Sequence, residues 1–234
     1  MTLIYLLRHA ESTANEEGIL AGRIPNIGLS ARGEKQSRAI AKSLQELPIR
    51  KIYRSPLQRC RETIQPLLEV TGRRAIVEDA FIEMNYGKWS GRKLNELRKE
   101  SLWKMIQSRP SKVKFPGGES FLAAKKRIKK GLDTVSKQNP KGPILVVSHG
   151  DPIKIALQLT LDGELDKFQR IVIDPGSISV IDWSSRTVLA VNLPVSSLQK
   201  ISKFGTKKAI KGELKATIKG RRVLGGGTDA AARL

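Results

Sequence analysis

The chain is short of several residue types, and each shortage narrows what it can be. Only one cysteine, Cys60, occurs in 234 residues. An internal disulfide is therefore excluded, and a reducing cytoplasm is the expected setting. No apolar run approaches the roughly 18–20 residues that a membrane helix needs. No basic region precedes the first apolar run, which breaks at Arg8, so a secretory leader is not expected either. Acidic residues are also scarce. Twenty-two Asp and Glu face 43 Lys and Arg, giving a net charge of +21. Histidine is scarcest after cysteine, with two in the whole chain, His9 and His149.

Part of the positive charge is local. Between Pro194 and Leu234 lie ten Lys or Arg against Glu213 and Asp229, which is +8 of the +21 and leaves +13 for the body. A basic body steers anionic substrates by long-range attraction. A proteome that favours lysine throughout would give the same excess without that purpose. After about Ser197 the hydrophobic pattern fades, so residues 1–196 are expected to fold and 197–234 to form a basic, flexible tail. Two readings of the tail stand: a weak contact with nucleic acid or another polyanion, and a solvated extension with no specific partner. Phe204 alone interleaves its charge, which argues against stacking on nucleic acid.

What is present has the pattern of an α/β domain. Leu3–Leu7, Lys51–Tyr53, Ala75–Val77 and Ile144–Ser148 read as short buried strands. Ile171–Ile173, Ile178–Trp183 and Val188–Val191 read as closing strands. Helical spacing follows Ser30, Ser55-Pro56, Leu94, Phe121 and Asp151-Pro152, while 10–27 reads as loop with at most one helical turn. The alternation implies a three-layer domain, a mostly parallel sheet with helices on both faces. Both histidines end a strand. His9 follows Leu3–Arg8 and His149 follows Ile144–Ser148. Ligands of open α/β sheets bind at the carboxyl ends of strands. Two imidazoles there, one directly after an arginine, suit an anionic, phosphorylated ligand.

Six segments then occur in one order. They are Leu7-Arg8-His9-Ala10-Glu11-Ser12 with Asn15, Leu29-Ser30-Ala31-Arg32-Gly33 with Gln36, and Ser55-Pro56-Leu57-Gln58-Arg59 with Thr63. Glu83-Met84-Asn85-Tyr86-Gly87-Lys88-Trp89, Gly117-Gly118-Glu119-Ser120 and Ser148-His149-Gly150 follow. Together they resemble the histidine phosphatase superfamily, also called phosphoglycerate mutase-like, over about residues 2–193. One departure stands out: Ala10 replaces the family's usual glycine after the first histidine. A methyl there is expected to crowd the phosphate or shift the loop.

The resemblance implies a role for each matching residue. His9 would attack phosphorus as a neutral imidazole and form a phosphohistidine. Arg8 and Arg59 would hold phosphate oxygens with guanidinium forks. His149, as imidazolium, would donate to a third oxygen, and Asn15 would add an amide donor. Glu83 would protonate the leaving alkoxide and then act as base on water. Arg23 is a candidate for reaching the substrate, and a plain loop arginine is the alternative reading. Cys60 reads as core.

Competing chemistries lack their residues. A cysteine phosphatase needs arginine at the sixth place after its cysteine, where Cys60 has Pro66. No P-loop, zincin or aspartyl-phosphatase string occurs, and two assigned histidines leave little for a metal. Metal-independent, cofactor-free chemistry is expected. The leading expectation is a phosphomonoesterase for a small phosphorylated metabolite. A phosphoglycerate mutase comes second, because the insertion between the Glu83 motif and the later helix is short. A weakly catalytic binding protein using the tail comes third. Specificity is expected from loops 18–27 and 91–116. Lys93, Arg98, Lys99 and Lys104 in the latter hint at a multiply charged substrate.

Overall fold

The computed structural model describes residues 2–140, 142–194 and 197. The expected tail, and any polyanion contact through it, lies outside the described residues apart from Ser197. Six strands form one sheet in the order β3-β2-β4-β1-β5-β6. They are β1 (Leu3–Arg8), β2 (Lys51–Arg54), β3 (Ala75–Val77), β4 (Ile144–Ser148), β5 (Ile178–Asp182) and β6 (Thr187–Leu193). The first four pair in parallel, and β5 and β6 add on antiparallel. The mostly parallel three-layer expectation holds.

Alternation along the central strands separates two cores. Leu3, Tyr5 and Leu7 of β1, with Leu145 and Val147 of β4, pack against α2 (Ala31–Leu44) and α3 (Gln58–Thr71). Ile4 and Leu6, with Ile144 and Val146, face α6 (Phe121–Gln138) and α7 (Gly150–Thr160). Strand residues buried on both faces explain why these runs are continuously apolar rather than alternating. Ser30 and Ser120 cap α2 and α6, their hydroxyls accepting from the Gly33 and Ala123 amides.

Pro66 sits inside α3, where it removes the amide that would serve the Glu62 carbonyl. The Ser37 hydroxyl of α2 takes that place, donating to Glu62 O at 2.9 Å and Thr63 O at 2.9 Å. The helix continues because its neighbour supplies the missing donor.

Several boundaries differ from expectation. The α3 helix starts at Gln58, three residues after Ser55, whose hydroxyl accepts from the Leu57 amide at 3.4 Å and meets His149 at 2.7 Å. The α7 helix starts at Gly150, with His149 itself as N-cap, so Pro152 is not its first residue. The stretch read as one helix after Leu94 is two, α4 (Leu94–Leu97) and α5 (Ser101–Ser108). Between them Glu100 is extended and meets Arg92 at 2.7 Å. A four-residue α1 (Thr13–Glu16) lies in the first loop. Residues 171–173 form no strand. Ile171 and Ile173 alternate in burial with exposed Val172, and all three line a cavity.

Helix α2 also braces the loop after β1. A methyl built on Gly33 would overlap the Glu11 carbonyl oxygen. Gly33→Ala is therefore expected to lower stability by about 1–3 kcal/mol, as overpacking does. Chemical denaturation of the pair of proteins measures it, and equal midpoints would show that the loop yields freely.

Candidate active site

Parallel pairing of β1 with β4 runs from Ile4↔Ile144 to Arg8↔Ser148. The next residue on each strand is a histidine, so the register puts His9 beside His149. One further ladder bond, His9 N to Ser148 O at 2.9 Å, fixes the step. The rings meet edge-on with centroids 5.1 Å apart at 62°.

The His9 ring is held in one orientation. Its Nδ1 lies 2.7 Å from the Ala10 carbonyl, which can only accept, so Nδ1 carries the proton. Nε2 is then a lone pair, and it accepts from Arg59 Nε at 3.2 Å. Burial, then the charges of Arg59 and Arg8, push the His9 pKa well below its usual value. The ring is neutral, with its nucleophilic nitrogen aimed at the guanidinium side.

His149 is fully buried and touches Ser55 Oγ through Nε2 at 2.7 Å. Burial, Arg59, His9 and Arg8 hold its pKa well below the usual value as well. These causes disfavour the charged form, against the direction of the expected imidazolium. Cys60 Sγ lies 3.5 Å from the same nitrogen, so the cysteine is core, as expected, and also packs on the site.

Arg59 comes from the first turn of α3 and is 2% exposed. Its Nη2 donates to Gly22 O at 2.8 Å, and no carboxylate pairs with it within salt-bridge distance among the described residues. Of the five buried side-chain nitrogens without a partner among the described residues, three belong to this site: Arg8 Nε, Arg59 Nη1 and His149 Nδ1. Buried polar groups are normally satisfied, and a buried guanidinium without an anion is costly. Converging at two strand ends, they form a cradle for an anion.

Glu83 follows a one-turn 3-10 helix, Asp79–Phe81. Ser148 Oγ donates to Phe81 O at 2.7 Å and ties this segment to the end of β4. Glu119 holds it from the other side, accepting at Oε1 from Arg23, Arg127 and the Asn85 amide, each at 2.9 Å. Burial first, then the nearby Asp151 carboxylate, raise the Glu83 pKa to about 7. Its carboxyl is thus part protonated at neutral pH, poised to give or take a proton. Asp151 in turn accepts from Tyr86 OH at 2.9 Å.

A cavity of about 480 Å³ opens here. Arg8, His9, Asn15, Arg59 and Glu83 line it, whereas His149, fully buried, is not among the lining residues. Asn15 spends its carbonyl oxygen on the Ser12 amide and hydroxyl, in a capping box that leaves the amide nitrogen available. Arg23 is held elsewhere. It pairs with Glu119 and donates to the Glu83 carbonyl, so it braces the acid instead of lining the cavity. Ala10 does not line it either. Its methyl is fully buried in the α2/α3 core, so it does not crowd the anion cradle.

Both expected loops contribute, through Ile19–Gly22 and through Leu94, Trp103, Ile106 and Phe115. Lys93, Arg98, Lys99 and Lys104 do not, which removes the hint of a multiply charged substrate. Sequence reasoning missed Asp151, Lys154 and the 169–174 segment. Asp151 was visible in the Ser148-His149-Gly150-Asp151 string. The segment was hidden by its strand-like alternation. Among the described residues no cluster of three or more His, Cys, Asp or Glu could hold a metal ion. No helix among them is long and apolar enough to cross a membrane.

Comparison with known proteins agrees with this geometry. The model of the histidine phosphatase superfamily (branch 1) matches residues 4–194. Phosphoserine phosphatase 1 of Hydrogenobacter thermophilus is 33% identical over 199 residues, covering 84% of this chain and 93% of that protein. A 2,3-bisphosphoglycerate-dependent phosphoglycerate mutase of Thermoplasma acidophilum is 26% identical, covering 87% and 98%. The alpha-ribazole phosphatase structure from Shigella flexneri superposes with a TM-score of 0.72 at 23% identity, over 81% of this chain and 96% of that one.

With two histidines, the nitrogen-15 spectrum of histidine-labelled protein is simple to assign. Both rings are expected to stay neutral at pH 6, with His9 in the Nδ1–H form. Carbon-13 titration should place Glu83 near 7, and Asp151→Asn should move that midpoint down by removing one of the charges that raise it. An unchanged midpoint would remove Asp151 from this account.

Proposed function

The chain belongs to the histidine phosphatase superfamily, and from that premise we propose that it hydrolyses a small phosphate monoester through a phosphohistidine on His9. The observation that carries the reading is the neutral His9, its Nε2 lone pair set among unpartnered guanidinium nitrogens. An anion that takes up those nitrogens places its phosphorus against the lone pair.

The reaction divides into two displacements. Arg59 shifts its donation from His9 Nε2 to a phosphate oxygen, and Arg8 takes a second. With the Ser55 hydroxyl donating to Nε2, the His149 proton sits on Nδ1 and meets a third oxygen. Asn15 adds an amide donor. The Nε2 lone pair attacks phosphorus, the ester P–O bond breaks, and the leaving alkoxide takes the Glu83 proton. In the second step the Glu83 carboxylate takes a proton from water, whose oxygen attacks phosphorus. His9 leaves, and phosphate is released. Charge matching comes from preorganised side chains. No metal is needed in this scheme. Cytoplasmic residence rests on the single, buried, free Cys60.

Mutase activity ranks second. It would require the second anionic group of a phosphoglycerate to be held, and the cavity walls do not favour one. The cations lining the cavity are Arg8, Arg59 and Lys154. Lys154 is already engaged by Gln169 at 3.0 Å and Asp151 at 3.6 Å.

His9→Ala is expected to lower kcat/KM for a phosphate monoester by about 10³-fold or more. Glu83→Gln should cost about 10²–10⁴-fold, least with a leaving group that needs no proton. The first step uses protonated Glu83, so kcat/KM should fall as pH rises through about 7. A chelator should change nothing. Full activity in His9→Ala, or interconversion of phosphoglycerates faster than hydrolysis, contradicts the reading.

A further inference from the structure

Beyond the phosphate cradle, the cavity is far larger than the group the cradle holds. At about 480 Å³ it falls within the range of about 300–1,000 Å³ typical of sites for drug-sized ligands. Much of the remaining wall is apolar, interrupted by Gln107, Lys154, Gln169, Asp151 and Asp174. Leu20 comes from the first loop, Leu94, Trp103 and Ile106 from α4 and α5, and Ile171 and Val172 from the 169–174 segment. Trp103 is half-buried and stacks on Trp89 at 6.3 Å with 14° between the planes, which fixes a flat indole at the wall.

Charge at this end is unfavourable to a second anion. Glu83, Asp151 and Asp174 all line the cavity. Among the described residues, the one lining cation away from the cradle is Lys154, which is bound to Gln169 and Asp151 and lies 5.6 Å over the Phe168 ring. A carboxylate or second phosphate on the alcohol would lose its hydration and find, among the described residues, only this engaged lysine as a counter-charge. An apolar or planar group would instead replace water against Trp103 and its aliphatic neighbours.

Resting on the phosphatase reading, we infer that the preferred substrates are monophosphates of bulky, apolar or aromatic alcohols, not phosphorylated acids or bisphosphates. Specificity lies in the wall made by Leu20, Leu94, Trp103, Ile106, Ile171 and Val172. None of these touches the phosphoryl group in this scheme. They select by the alcohol they cover.

The test compares kcat/KM for 1-naphthyl phosphate and benzyl phosphate with that for O-phosphoserine and 3-phosphoglycerate. The two esters with aromatic groups are expected to lead by about tenfold or more, the range that a well-filled apolar pocket gives. Benzyl phosphate controls for leaving-group ability, since its alcohol is as poor a leaving group as an alkyl one. Trp103→Ala should reduce the preference by about tenfold. Val172 is 64% exposed, so Val172→Lys cannot disturb the core. It adds a cation at the rim and should shift preference toward 3-phosphoglycerate. Calorimetric binding of the same four compounds to His9→Ala separates the two claims. Tighter aryl binding with no His9-dependent turnover in the parent protein sinks the phosphatase reading and keeps the apolar wall. His9-dependent turnover led by phosphoserine or phosphoglycerate overturns the wall and keeps the phosphatase. Tighter binding of those acids to His9→Ala likewise overturns the wall.

Discussion

Everything at this site depends on the register between β1 and β4. Parallel strands have no hairpin to align them, so the alignment of Arg8 with Ser148 must come from packing on both faces. A one-residue slip would exchange the two cores, sending Leu3, Tyr5 and Leu7 toward α6 and α7. Two well-filled cores therefore specify the histidine pair as firmly as any bond within it. The stability of the sheet and the geometry of the chemistry are one constraint.

A second principle is the separation of charge states. Guanidinium groups crowd the site, and they do two things at once. They supply fixed positive charge where a phosphoryl group would lie, and they add to burial, the larger cause, in lowering the pKa of two adjacent imidazoles. A protonated His9 would have no lone pair to offer. Glu83 follows the opposite logic. Burial and the Asp151 carboxylate raise it to about 7, while the same arginines pull it down. A carboxyl that would be fully ionised in water at that pH thus sits near an imidazole whose neutral form is reinforced. Glu119 makes the arrangement rigid by joining Arg23, Arg127 and the Asn85 amide behind Glu83.

Much of this was legible in the chain. The strand-end placement of His9 and His149 follows from short apolar runs, and the six ordered segments carried Arg8, Asn15, Arg59 and Glu83 to the same cavity. Helix caps at Ser30 and Ser120 were readable because a serine before a periodic run has one local task. What stayed hidden was set by tertiary contacts. Ser55 reads as a helix start, but its hydroxyl serves His149 across 94 residues of sequence. Arg23 reads as a free loop cation, but Glu119 claims it from 96 residues away. Residues 171–173 alternate in burial like a strand, but they line the cavity and pair with no sheet. The basic residues of the 91–116 loop suggested a charged substrate, yet it is the apolar face of that loop that turns inward. Composition counts charges without saying where they point.

The central claim is that His9 presents Nε2, and not Nδ1, to phosphorus. Phosphohistidine exists as two isomers, which phosphorus-31 NMR distinguishes in protein trapped during turnover and denatured in base. The account predicts one isomer only, phosphorylated at Nε2 of His9, because Nδ1 is spent on the Ala10 carbonyl at 2.7 Å. Phosphate found at Nδ1, or on His149, would contradict it.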